Sequence, residues 1–379
     1  MQVQLQELRD ECRAGFPERQ DVIDGSLAAI LCGEHVLLLG PPGTAKSALI
    51  RALARAFGTV LFERLLTRSS TPEEILGPLS LQALDEGRVT HVTTGMLPEA
   101  LFALMDEIFA ASSPVLNLLL PLMDERTFVD NGAPVHVPLV SIFGAATELS
   151  ENTAHEHILD RFLLRFEMDY LQRPSSMRAV LTAPEPAAST VWGMEALRAM
   201  QADASNVRLT EDTLDAIIVL RNALKDEGVV ISDRRWKKSL HLVQAAAFLA
   251  GEAQTCPEDL TILVDVLWRH PHERPRLSRL VNKLINPAVY EANEVLEDGR
   301  EAAAKAHALK QHQHRRSYLA QAARTMLMLR AQVEMLARLS ETASKRARGV
   351  IDDAITELNE LHAELARDVH AHQGLKVLK

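Results

Sequence analysis

Aromatic side chains are scarce in this chain: Phe, Tyr and Trp together make up 4% of its 379 residues. A core short of aromatics is filled by aliphatic side chains, and the many Ala and Leu residues direct it toward helix. Cysteine is rarer still. Cys12, Cys32 and Cys256 are odd in number and widely spaced, which excludes a disulfide framework or a zinc cluster and points to a reducing, cytoplasmic compartment. No run of about 18 apolar residues occurs, so no transmembrane helix is expected. The polar, charged stretch 1–10 is unlike a secretory signal. An excess of basic charge is also missing, with 41 basic against 51 acidic side chains and a formal net charge of −10. That balance argues against a broad duplex-DNA-binding surface, while leaving room for a local basic pore or groove.

The length suggests two or three domains. His35 to Leu39 is a short apolar run ended by Gly40, the pattern of a buried parallel strand. Similar runs cover 101–105, 139–146 and 163–170. Helical patterns cover 16–31, 48–57 and 114–123. Strands alternating with helices predict an α/β fold, a parallel sheet with helices on both faces, over residues 1–175. The strand signal then vanishes. Segments 209–224, 232–250 and 258–269 read as helices of an all-α domain over 176–275, with Ser232 or Asp233 as a cap. In 276–379, Leu319, Met326 and Val333 alternate with Ala322, Leu329 and Leu336 at heptad positions. Ile351, Leu358 and Leu365, with Ala354 and Leu361, repeat the pattern. A long helical hairpin is predicted, with its turn in 340–349 and a break before it at Asp298-Gly299. His155 and His157, and the later His312, His314, His362, His370 and His372, read as solvated surface residues rather than metal ligands.

The chemistry begins at Gly40-Pro41-Pro42-Gly43-Thr44-Ala45-Lys46-Ser47, set between a strand and a helix. Successive backbone N–H groups and a helix N-terminus make an anion nest. This stretch, with Ala48 after it, is the expected nucleotide contact. Lys46 would reach the β- and γ-phosphates, and Ser47 would offer its hydroxyl to Mg²⁺. Ala45 stands where the general pattern has Gly, which is tolerable only if its φ is negative. Asp106-Glu107 closes an apolar strand 60 residues after Lys46. Asp106 would hold Mg²⁺ through its water shell, and Glu107 would orient and polarise the attacking water. The chain is therefore expected to bind and hydrolyse ATP.

On GPPGTAKS (40–47), STPEEILGPLS (70–80), GMLPEA (95–100), MDEI (105–108), LDRFLLR (159–165) and SDRRWKK (232–238), the chain resembles the MoxR family of AAA+ ATPases, in its RavA branch. The resemblance covers most of 16–290 and implies an AAA+ nucleotide-binding core, an all-α lid and a helical extension. It places Thr147 at the sensor-1 position, with Glu148 as the alternative. Arg161 matches the arginine finger that serves a neighbouring subunit, and Arg165 is a second candidate. Arg234 and Arg235 match the sensor-2 region, with Arg234 preferred. A finger acting across subunits implies a homo-oligomeric ring, a hexamer in this family. The implied partner is a protein client carrying a von Willebrand factor A (VWA) domain, remodelled in a chaperone-like way. A nucleic-acid motor and a nucleotide-dependent scaffold are the rival functions.

Overall fold

The computed structural model describes residues 2–150, 155–182, 192–311 and 315–373. His312 and His314 lie outside these. The chain forms two compact units, Met1–Leu277 and Ser278–Lys379.

The first unit is built on five strands, here β1 (His35–Leu39), β2 (Leu61–Leu65) and β3 (Phe102–Asp106), then β6 (Ser141–Ala146) and β7 (Phe162–Glu167). A separate antiparallel hairpin joins β4 (Thr127–Asp130) to β5 (Ala133–His136). The five-stranded sheet is parallel throughout, in the order β2-β3-β6-β1-β7. β1 and β6 are buried along their whole length, which is why both read as unbroken apolar runs. β2 was not expected from the sequence. Its Leu-Phe-Glu-Arg-Leu alternates burial, and it sits at the edge of the sheet, where one face and one flank stay wet.

Helix Lys46–Ala56 packs on β3 and β6, and helix Gln20–Cys32 packs on β1 and β7. Helices Met194–Ser205, Glu211–Asp226 and Asp233–Leu249 follow the sheet. Ser232 is the cap of the last, its side chain accepting from the Arg235 N–H. The stretch expected as one helix from 258 is instead a 3₁₀ segment, Pro257–Leu263, followed by the short α-helix Val264–Leu267. Pro257 and the acceptors at Cys256 and Asp259 favour the tighter turn.

The second unit holds three long helices, Pro287–Gln311, Arg315–Thr342 and Lys345–Gln373. The heptad positions Ala322, Leu329, Leu336, Ile351, Leu358 and Leu365 are fully buried between them. The expected break at Asp298-Gly299 is not there. Gly299 lies inside a continuous helix, and a Cβ on it would meet Leu358 Cδ2 at 2.5 Å and Leu329 Cδ2 at 3.1 Å. Glycine is present for close helix packing, not for a turn. Among the described residues no helix is long and apolar enough to cross a membrane. Cys12, Cys32 and Cys256 form no disulfide.

Candidate active site

β1 ends at Leu39 and the chain turns at Gly40, with φ at 148°. A Cβ there would lie 2.0 Å from the Met168 carbonyl oxygen. The Gly40 N–H donates to Ala146 O at 3.0 Å, and Met168 N–H donates to Leu39 O at 2.7 Å. The loop is thus seated between the ends of β6 and β7, at the crevice where an α/β sheet takes ligands.

Within the loop the side chains satisfy the carbonyls. Lys46 Nζ donates to Gly40 O and Pro41 O at 2.5 and 2.9 Å. Thr44 Oγ1 donates to Pro41 O at 3.0 Å, and the Tyr170 hydroxyl to Pro42 O at 3.3 Å. Ser47 and Ala48 lie in the first turn of the helix that begins at Lys46. The expectation for Ala45 is overturned: its φ is 69° and ψ 19°, a left-handed conformation. Gly43 is left-handed as well, at φ 83°. Left-handed residues interleaved with ordinary ones are the backbone pattern of an anion nest. The methyl at Ala45 costs about 1–2 kcal/mol in that conformation, and the loop holds it there.

β3 and β6 are parallel neighbours, so Asp106-Glu107 and Thr147 emerge at the same end of the sheet as the loop. Thr147 Oγ1 donates to Glu107 Oε1 at 3.0 Å. Glu107 is also left-handed, at φ 52°, and its N–H donates to Asp106 Oδ1 at 3.1 Å. Strain of this kind, about 1–3 kcal/mol, collects where a side chain must be aimed. Glu148 is exposed. Partial burial lowers the Lys46 ammonium below its ordinary range, against the opposing pull of Asp106 and Glu107. Among the described residues no three His, Cys, Asp or Glu side chains are grouped to hold a metal ion. The Ser47 hydroxyl and Asp106 carboxylate are hard oxygen donors, which suit Mg²⁺ brought in with a nucleotide.

The arginines lie elsewhere. β7 runs parallel to β1, with His35 opposite Phe162 and Leu39 opposite Glu167. Arg161 precedes β7 and is therefore at the amino end of the sheet, while Gly40 is at the carboxyl end. Five residues of strand separate the two ends by about 16 Å. Arg161 Nε donates to Asp124 Oδ2 at 2.7 Å, and its Nη1 to His157 O at 3.2 Å. Arg234 joins it there, with Nη2 donating to Asp160 Oδ2 at 2.6 Å and Nη1 3.9 Å from Asp124 Oδ1. Burial raises the Asp160 carboxyl, but Arg234 and Arg235 outweigh it and hold it below the usual carboxylate range.

Arg235 and Arg165 are inside the fold, 7% and 3% exposed. Arg235 donates to the carbonyls of Val266, Phe162 and Leu163 at 2.9, 3.1 and 2.6 Å. Arg165 donates to the carbonyls of Trp268 and Leu159. Burial lowers both guanidiniums, Arg235 to about 10, so Arg235 stays charged at neutral pH. Both side chains bind β7 and its approach to the 264–268 segment, their guanidiniums taken up by backbone carbonyls of the same chain. Sequence reasoning missed Asp124 and Asp160, whose carboxylates hold Arg161 and Arg234. One signal was available, because Met-Asp-Glu occurs twice, at 105–107 and at 123–125. The second copy ends a helix rather than a strand.

Residues 3–216 match a family described as the MoxR domain in the MoxR-vWA-beta-propeller ternary systems, and 212–281 match an AAA lid domain. An uncharacterized protein of Methanocaldococcus jannaschii is 37% identical over 284 residues, covering 74% of this chain and 76% of that one. Chaperone MoxR1 of Mycobacterium tuberculosis is 26% identical over 66% of this chain and 71% of its own. Protein MoxR of Paracoccus denitrificans is 26% identical over 69% and 88%. The crystal structure of a putative ATPase from Cytophaga hutchinsonii shares the fold, with a TM-score of 0.60 at 18% identity, over 75% of this chain and 93% of that one. With a five-stranded parallel sheet, a glycine-rich loop after β1, a matched lid and a family model spanning more than half its length, this chain belongs to the MoxR family of AAA+ ATPases.

Proposed function

We propose that the chain hydrolyses ATP in a ring of identical subunits, a hexamer by family resemblance, and uses the cycle to remodel a partner bearing a VWA domain. One observation carries the reading. The phosphate loop, Asp106, Glu107 and Thr147 stand at the carboxyl end of the sheet, and Arg161 and Arg234 stand at its amino end. A guanidinium cannot cross about 16 Å of strand, so these arginines cannot serve their own subunit's phosphates. A head-to-tail contact brings one subunit's amino end to its neighbour's loop, and repetition of that contact closes a ring.

Each residue then has a part. The loop N–H groups and Lys46 hold the phosphates. Ser47 and Asp106 would hold Mg²⁺, which when bound neutralises charge on the phosphate oxygens. Glu107, steadied by Thr147, orients and polarises the attacking water. Arg161 and Arg234 of the neighbour meet the charge that grows on the terminal phosphate. Arg235, a sensor-2 candidate from sequence, is assigned instead to fastening the lid to β7. The VWA partner is supported by the description of the matched family, and the three-helix unit is assigned as the arm that recruits it, with a spacer as the alternative. The absence of a disulfide among Cys12, Cys32 and Cys256 suits a reducing cytoplasm.

Glu107→Gln should keep ATP affinity and lose turnover by about 100-fold or more. Held with ATP, it should retain a VWA-domain protein in a pull-down from its host. Unchanged turnover would remove Glu107 from the chemistry. Recovery of DNA, with DNA-stimulated turnover in the parent chain, would favour the nucleic-acid motor.

A further inference from the structure

Asp124 lies between half-buried Arg161 and exposed Arg234 and uses a different oxygen for each. Oδ2 accepts from Arg161 Nε at 2.7 Å, and Oδ1 is 3.9 Å from Arg234 Nη1. Arg161 belongs to the approach to β7, and Arg234 to the first turn of the lid helix Asp233–Leu249. A single carboxylate therefore ties a core cation to a lid cation. The manner of holding matters too. Asp124 takes the Nε–H of Arg161 and the His157 carbonyl takes Nη1. Neither contact uses Nη2, and a terminal amino edge is what a guanidinium presents to phosphate.

Asp124 is badly placed to be a stabilising residue. It is the last residue of the helix Ser113–Asp124, where a negative charge faces the negative end of the helix dipole. Its side chain is 28% exposed, beside Arg161 at 20% and Arg234 at 49%, and pairs this accessible to water add little to stability. Yet its position is well fixed. The carbonyl of Met123, one residue earlier, accepts from His35 Nε2 at 3.0 Å and from Arg126 Nη1, and Arg126 Nη2 also donates to Gly33 O. Beside the arginines is a small recess lined by Asp160, Arg161, Leu163, Arg234, Arg235 and Lys238. That lining carries four cations against one carboxylate.

We propose that Asp124 is a positioning residue of the shared site: it holds Arg161 and Arg234 as one paired cation aimed at the terminal phosphate bound by the neighbouring subunit. The inference rests on the inter-subunit reading given above. Asp160 anchors Arg234 from the other side, so loss of Asp124 leaves both arginines present and misaimed.

The test uses full-length Asp124→Ala, Asp124→Glu, Arg161→Ala and Lys46→Ala chains. Asp124→Ala is expected to keep its thermal midpoint and to bind a fluorescent ATP analogue within about twofold of the parent, while kcat falls about tenfold or more. Asp124→Glu should recover part of kcat. Equal mixing of Asp124→Ala with Lys46→Ala should restore turnover, as should mixing Arg161→Ala with Lys46→Ala. In each mixture some interfaces pair an intact loop with correctly held arginines. An unchanged or raised kcat in Asp124→Ala overturns the proposal. So does a chain that unfolds on Asp124→Ala, because the pair then serves stability. Rescue of Arg161→Ala without rescue of Asp124→Ala overturns it as well. If neither mixture recovers turnover, the inter-subunit reading fails and the inference falls with it.

Discussion

Ala45 and Glu107 both carry left-handed backbones, and the two differ in what the strain achieves. At Glu107 it aims a carboxylate that Thr147 then holds. At Ala45 the same loop path would be open to glycine without the Cβ clash. Ala45→Gly should therefore raise unfolding stability by up to about 1 kcal/mol, read from urea midpoints, with part of the relief offset by the entropy of glycine. His35 gives a pH dependence. Its Nδ1 accepts from the Ile142 N–H at 2.8 Å while Nε2 donates to Met123 O, which fixes a neutral ring. Burial, then Arg126, lowers its pKa well below the usual value. An unfolded His takes up a proton near pH 6.5 and the folded one does not, so stability present above that pH is lost as pH falls. The loss reaches at most about 1.4 kcal/mol per pH unit. His35→Gln should flatten the stability slope between pH 6.5 and 5, compared with the parent by urea unfolding. An equally steep slope in the variant would place the titration elsewhere. Lys46, Asp106 and Glu107 were legible in the sequence because each sits beside its own local signal. Asp124 and Asp160 were not, because they meet Arg161 and Arg234 across 37 and 74 residues, a separation that only the fold closes.

At the scale of elements, strands β1, β3, β6 and β7 were readable because burial on both faces leaves an unbroken apolar run. The edge strand β2 and the β4–β5 hairpin were not, since β2 and β4 are only partly buried, β5 is exposed throughout, and polar residues interrupt the pattern. The helical heptads of the second unit were visible over 319–365, but the preceding helix Pro287–Gln311 was not, because Asp298-Gly299 reads as a break before the hairpin. The crossing of three helices at Gly299 makes a sharp prediction. Gly299→Val should cost the unit about 1–3 kcal/mol through overpacking against Leu358 and Leu329, seen as a lower thermal midpoint of helical signal. An unaltered midpoint would mean that the helices can part at no cost. The ion pair of Arg300 with Glu357, at 2.5 and 2.8 Å, is exposed on the arginine side and should matter far less.

The whole molecule places the glycine-rich loop and the Arg161–Arg234 pair at opposite ends of one sheet, and on the proposed function this separation leaves a lone subunit without a complete centre. The direct measurement is turnover in mixed assemblies. Lys46→Ala removes a subunit's own phosphate lysine and leaves its arginines, while Arg161→Ala does the reverse. Each variant alone should be nearly inactive. Mixed in equal amounts and allowed to exchange, they should recover roughly a quarter of the parent turnover per subunit, because that share of random head-to-tail interfaces joins an intact loop to an intact finger. Turnover that stays at the level of the separate variants, in assemblies shown to contain both chains, would contradict a site shared between neighbours.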